Sequence, residues 1–129
     1  MLESGLKLTK QYRVTEMMTA ATMKSGELFV LATPYLVALM EDVASSCVKP
    51  YLDEGTTSVG TRVDVQHLAA TPVGMEVTVT AELTAIEGRK LQFTVTAWDS
   101  VEVIGQARHE RFVVNSERFL QKVVKKGEV

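Results

Sequence analysis

Two hydrophobic periods divide this chain. Between Thr33 and Pro50, Val37, Met40, Glu41, Ala44 and Val48 recur at three- and four-residue spacing, while Asp42, Ser46 and Lys49 fall on another side, which predicts one long helix. Thr33-Pro34 marks its start, with a hydroxyl suited to capping free backbone donors and a proline favoured in the first turn. Pro50 stops it. Leu36 and Leu39 widen the apolar surface, as expected of a helix wrapped by other structure. After Gly55 the period becomes two. Val63 and Val65 alternate with Arg62, Asp64 and Gln66, and Met75, Val77, Val79, Ala81 and Leu83 with glutamates and threonines. Leu91, Phe93, Val95 and Ala97 follow the turn Glu87-Gly88-Arg89. A further strand is predicted at Val101–Ile104, then a last long one to about Val114, with a tight connection at Asp99-Ser100. A short first strand is placed around Gln11–Thr15. Such alternation describes antiparallel strands with one covered face.

One long helix followed by four or five long strands describes an α+β hotdog fold, a central helix wrapped by a curved antiparallel sheet of about five strands. A single helix is a thin cover for such a sheet. A homodimer is therefore expected, with edge strands pairing so that no hydrogen-bonding edge is left open; an α+β sandwich monomer is the alternative. The 129 residues suit one domain, residues 1–129, with no room for a second. Residues 16–27 hold Met17, Met18 and Met23 with Ser25 and Gly26. They read either as an adaptable lid over an apolar pocket or as a surface loop with methionines tucked inward.

Charge and cysteine content narrow the function classes. The net charge of -2 gives no electrostatic reason to expect nucleic acid or an anionic membrane as partner. Lys125 and Lys126 read as a solvated basic end. Cys47 stands alone, so no intrachain disulfide forms, which fits a reducing compartment. The start, MLESGLKLTKQYRV, lacks the apolar run of a signal peptide, and no stretch reaches the ~20 apolar residues of a membrane span. The expectation is a soluble cytoplasmic protein.

Against this plain background two residues stand out. Glu41 lies on a largely apolar helix face, where a carboxylate is costly to bury without a partner or a task. It either reaches solvent at the edge of the stripe or serves chemistry. His67 shares a strand face with Val63 and Val65, on the covered side. It is either a rim histidine with a satisfied hydrogen bond or a proton-transfer group, for which its side chain is suited near neutral pH. The two sit on elements that must pack together. Thr33 is explained by capping alone, and eight positions separate it from Glu41, ~12 Å along an ideal helix. The two therefore meet through a fold-back of the chain, across a dimer interface, or through different parts of a substrate. His109 and Arg111 of HERF alternate onto one face, and Arg111 either pairs with Glu41, binds a phosphate or faces solvent. His67 and His109 lack the ligand spacing of a zinc site, so no metal or other cofactor is expected. Cys47 has no evident activating partner.

The segments ATPYLVALMEDVA, the Gly60-Thr61 turn, HLAATPVG, AELTAIEGRKL and GQARHERFVV resemble the fluoroacetyl-CoA thioesterase group of hotdog proteins, from about Val30 to Val114. The resemblance implies hydrolysis of an acyl-CoA, with Thr33, Glu41 and His67 as the catalytic set and Gly60 and Arg111 as substrate contacts. Glu41 then acts as a nucleophile or as a base for water, His67 orients or protonates, and Thr33 hydrogen-bonds the acyl group or the glutamate. The segment MKSGELFVLAT departs from the family's phenylalanine-bearing lid, having only Phe29 as an aromatic. The expected substrate is accordingly a short- or medium-chain acyl-CoA rather than fluoroacetyl-CoA specifically. Two other readings of the fold stay open: a non-catalytic acyl-CoA-binding regulator and a hydratase or dehydratase.

Overall fold

The computed structural model describes residues 1–128. Its elements are β1 (Lys7–Arg13), α1 (Ala20–Met23), α2 (Thr33–Val48), β2 (Thr56–His67), β3 (Glu76–Glu87), β4 (Lys90–Trp98), β5 (Val103–Asn115) and α3 (Ser116–Gly127). One five-stranded sheet runs in the order β1-β3-β4-β5-β2, antiparallel throughout. This is the hotdog arrangement expected from the alternation. Gly88, at φ +61°, makes the two-residue reversal between Glu87 and Lys90, a backbone conformation that other residues seldom adopt.

The core lies between α2 and the concave face of the sheet. Leu36, Leu39, Met40, Val43, Ala44, Cys47 and Val48 pack against alternate residues of β3, β4 and β5, from Val77 and Leu83 through Leu91 and Phe93 to Ile104. Each fully buried Leu or Val contributes roughly 1.5–3 kcal/mol of apolar transfer, so packing rather than helix propensity fixes α2. The approach is closest at Gly105. A Cβ there would lie 2.9 Å from Leu36 Cδ2 and 3.3 Å from Met40 Cε.

Two local features of the sheet matter: an irregularity in β2 and the turn between β4 and β5. The register of β2 against β5 shifts between Gly60 and Arg62, leaving Thr61 as an extra residue. Its hydroxyl donates to the Glu110 carbonyl at 3.2 Å. At the β4–β5 turn, Asp99 accepts from the backbone N–H groups of Val101 (2.8 Å) and Glu102 (3.0 Å) and from the Thr71 hydroxyl (3.0 Å).

Several sequence expectations are corrected. The first strand is Lys7–Arg13, earlier than the expected Gln11–Thr15. Its inward row includes Lys10, whose ammonium reaches Asp42 and Ser46 on α2, so polarity hides the period. Val101 and Glu102 belong to the turn held by Asp99, and a single strand, β5, replaces the expected pair. Residues 16–27 contain a 3-10 turn and the short α1. Met18 is buried there, while Met17 and Met23 are exposed. The C-terminal end is the helix α3, capped by the Asn115 side chain on the Arg118 N–H. Its Phe119, Leu120, Val123 and Val124 stay exposed.

Candidate active site

Thr33 is not the helix cap. The cap position falls on Ala32, and Thr33 is the first helical residue, with Pro34 following. Freed from capping, its hydroxyl bonds His67 Nδ1 at 2.7 Å. Thr33, Val37 and Glu41 then form an i, i+4, i+8 row along one flank of α2. Both ends of that row meet β2: Thr33 meets His67 at the strand's end, and Glu41 meets Gly60 some two turns along the helix. The helix is continuous, which removes the fold-back route between Thr33 and Glu41.

The structure thus separates two polar groups. At the first, Thr33 and His67 share an open cleft of about 310 Å³ with Ala20, Val30, Leu31 and Leu68. Among the described residues, His67 Nε2 is the one buried side-chain polar atom without a hydrogen-bond partner. Burial holds the His67 pKa below its ordinary value, against a smaller opposing influence of the nearby Ala69 backbone. The ring is therefore neutral at pH 7. The cleft's wall is tied down from behind, because the Leu31 N–H donates to the Thr71 carbonyl at 2.9 Å and Thr71 is itself anchored by Asp99.

At the second group, Glu41 Oε2 lies 3.7 Å from Arg111 Nη1. The Glu41 side chain keeps 41% of its surface exposed, whereas that of Arg111 keeps 8%. The guanidinium is gripped by Ser58: Nε donates to its hydroxyl (2.8 Å) and Nη2 to its carbonyl (2.9 Å). Of the three roles open to Arg111 in sequence, this geometry takes the pairing with Glu41. Burial lowers the Arg111 pKa, and Glu41 opposes the shift. Gly60 is the neighbour that leaves room, since a Cβ there would overlap Glu41 Oε2. Sequence reading missed Ser58, which carries no pattern signal. It also missed the contact between His109 and Arg111, although their shared strand face pointed to it.

Solved structures share this fold. A phenylalanine-to-alanine variant of the fluoroacetyl-CoA-specific thioesterase FlK superposes with a TM-score of 0.91 at 39% identity, covering 97% of both chains. The same variant in complex with fluoroacetate and CoA gives 0.87 at 39% identity, covering 92% of this chain and 99% of that one. The molecule is a hotdog-fold thioester hydrolase. Residues 14–117 match the family model of the fluoroacetyl-CoA-specific thioesterases. The fluoroacetyl-CoA thioesterase of Streptantibioticus cattleyicolor is 48% identical over 97 residues, 75% of this chain and 70% of the relative. The chain belongs to that family.

Proposed function

We propose that this protein hydrolyses a short- or medium-chain acyl-CoA to the free acid and CoA, with Thr33, Glu41 and His67 at the reacting centre. The observation that carries the reading is the division of the polar machinery into two halves along β2, each incomplete alone. One half offers a half-exposed carboxylate; the other offers a neutral imidazole with a buried, unpartnered nitrogen. A thioester carbonyl needs both, a nucleophile or base on one side and a hydrogen-bonding group for the developing charge on the other.

In this reading the working unit is a homodimer. β2 is an edge strand, and an antiparallel second copy across that edge would set the Gly60 end of one β2 beside the His67 end of the other. The ~12 Å between Thr33 and Glu41 then ceases to be an obstacle, because each site takes Glu41 from one protomer and Thr33–His67 from its partner. Glu41 either attacks the carbonyl, expelling CoA thiolate and forming an anhydride that water opens, or removes a proton from the attacking water. Arg111 orients the carboxylate for either route, and Gly60 leaves it room. The lone, buried Cys47 is compatible with a cytoplasmic setting. Among the described residues no helix is long and apolar enough to cross a membrane.

The test is release of CoA thiol from acetyl-, fluoroacetyl-, butyryl-, hexanoyl- and benzoyl-CoA by wild type and Glu41→Ala, with sedimentation velocity on the same preparation. Turnover by wild type, its loss in Glu41→Ala and a dimeric mass are the expected results. Binding of acyl-CoA with no turnover of any of the five would replace the enzyme by a binding module. A single-turnover reaction in ¹⁸O-water tests the anhydride route, because label enters Glu41 only when water opens an anhydride at the glutamyl carbonyl.

A further inference from the structure

We propose that His109 is a positioning residue, which locks the Arg111 guanidinium against Glu41 and so sets the orientation of that carboxylate. The inference rests on the reading of Glu41 as the reacting carboxylate. The His109 ring is 1% exposed and stacks on Phe93, with centroids 5.9 Å apart and planes at 30°. Its Nδ1 lies 2.7 Å from the Arg62 carbonyl of β2. A carbonyl only accepts, so Nδ1 carries the proton. Nε2 of the neutral ring is then a bare lone pair, and Arg111 Nη1, which only donates, lies 3.2 Å from it. The tautomer is dictated by the partners on both sides.

The guanidinium is consequently held at three points: Nε and Nη2 by Ser58, and Nη1 by His109. The remaining Nη1 hydrogen is left for Glu41. The charged groups around the ring are Arg111 and Glu110 on β5 and Glu41 from α2; Arg62 contributes its carbonyl, and β4 only the uncharged Phe93. Protonating His109 would turn its acceptor into a donor facing a second cation. Burial first, with Arg111 adding to it, keeps the ring neutral against the opposing influence of the Arg62 carbonyl, Glu41 and Glu110.

The amide of glutamine can place an acceptor where Nε2 stands, whereas that of asparagine replaces only Nδ1. The experiment compares His109→Gln and His109→Asn, each alone and with Arg111→Met, by kcat and KM on the best acyl-CoA. Histidine ring ¹⁵N spectra of wild type accompany it. The expected result is a fall in kcat of about tenfold or more for His109→Asn, with KM little changed, and recovery of most of that loss by His109→Gln. In the Arg111→Met background the two variants should be equal, because His109 acts through the arginine. The spectra should show Nδ1 protonated and Nε2 bare at pH 7. Equal kcat for Asn and Gln with Arg111 present, an undiminished gap without it, or a protonated Nε2 would each overturn the proposal. A wild type that turns over no acyl-CoA would refute the reaction assigned to the site, while the tautomer would still decide between His109 and Arg111 as partners.

Discussion

A single methyl group at Gly60 offers a direct measure of how much the position of Glu41 matters. Gly60 has no positive φ, so alanine adopts the backbone without strain, and in a strand interior the exchange stabilises by ~0.5–1 kcal/mol through reduced chain entropy. The new Cβ, however, overlaps Glu41 Oε2 and lies 3.3 Å from both Arg111 Nη1 and His109 Cε1. Arg111 and His109 are pinned by their hydrogen bonds, whereas the half-exposed Glu41 is free to swing outward. The carboxylate must retreat by roughly 1 Å to reach ordinary contact distance. A displacement of that size at a reacting group costs on the order of 10²-fold in rate, about 2.7 kcal/mol. The lost pairing with Arg111 is worth no more than ~1 kcal/mol with one partner this exposed, so the net stability change stays within ~1 kcal/mol, or ~4 °C in Tm. Thiol release from acyl-CoA and a thermal melt of Gly60→Ala read both quantities. Wild-type kcat/KM in the alanine variant would refute the placement of Glu41 at the reacting centre. A Tm drop well beyond ~8 °C would show instead that the strand, and not the carboxylate, gave way.

Further expectations follow from the same geometry. Thr33→Ala leaves His67 Nδ1 without its 2.7 Å partner and should lower kcat/KM by about tenfold, one hydrogen bond's worth, whereas Thr33→Ser should keep most of the activity; equal loss in both would exclude the hydroxyl. The buried His67 and His109 have lowered pKa values, so the unfolded chain binds protons first; stability from both is full above ~6.5 and is lost as pH falls through their folded values. Melts from pH 8 to 5 should therefore slope downward below that point, less steeply in His109→Gln. Asp99→Ala removes an acceptor used by three donors and should cost ~1–3 kcal/mol, read as the shift in urea midpoint. Gly105→Ala pushes a methyl against Leu36 and Met40 and should cost a further ~1–3 kcal/mol by the same measurement.

The fold was legible where burial was one-sided. α2, β3 and β4 carry their periods openly because their inward rows are nearly all apolar, from Val77 to Leu83 and from Leu91 to Ala97. β1 was shifted because its inward Lys10 finds a carboxylate and a hydroxyl across the helix, a contact that only the tertiary structure reveals. α3 was missed because its apolar residues cover little of the chain's own core. Within the candidate site, Glu41 and His67 were legible as polar residues on covered faces. Thr33 was legible only as a cap, because spacing does not tell whether a hydroxyl turns back to the helix or out to a neighbouring strand. Ser58, which grips the guanidinium through both its hydroxyl and its carbonyl, left no trace in the pattern.

The extra residue at Thr61 carries a consequence for how such a chain tolerates change. Before it, even-numbered Ser58 and Gly60 face the helix; after it, odd-numbered Val63, Val65 and His67 do. A strict alternation would have sent Gly60 and His67 to opposite sides of the sheet, since their numbers differ by seven. The irregularity is what lets one edge strand present both polar groups inward. Lengths in this stretch are thereby locked in a way that residue identities are not. Most single substitutions between Gly60 and His67 alter one side chain, but losing or gaining one residue there reverses the parity of everything on one side of it and turns half of the site out to water.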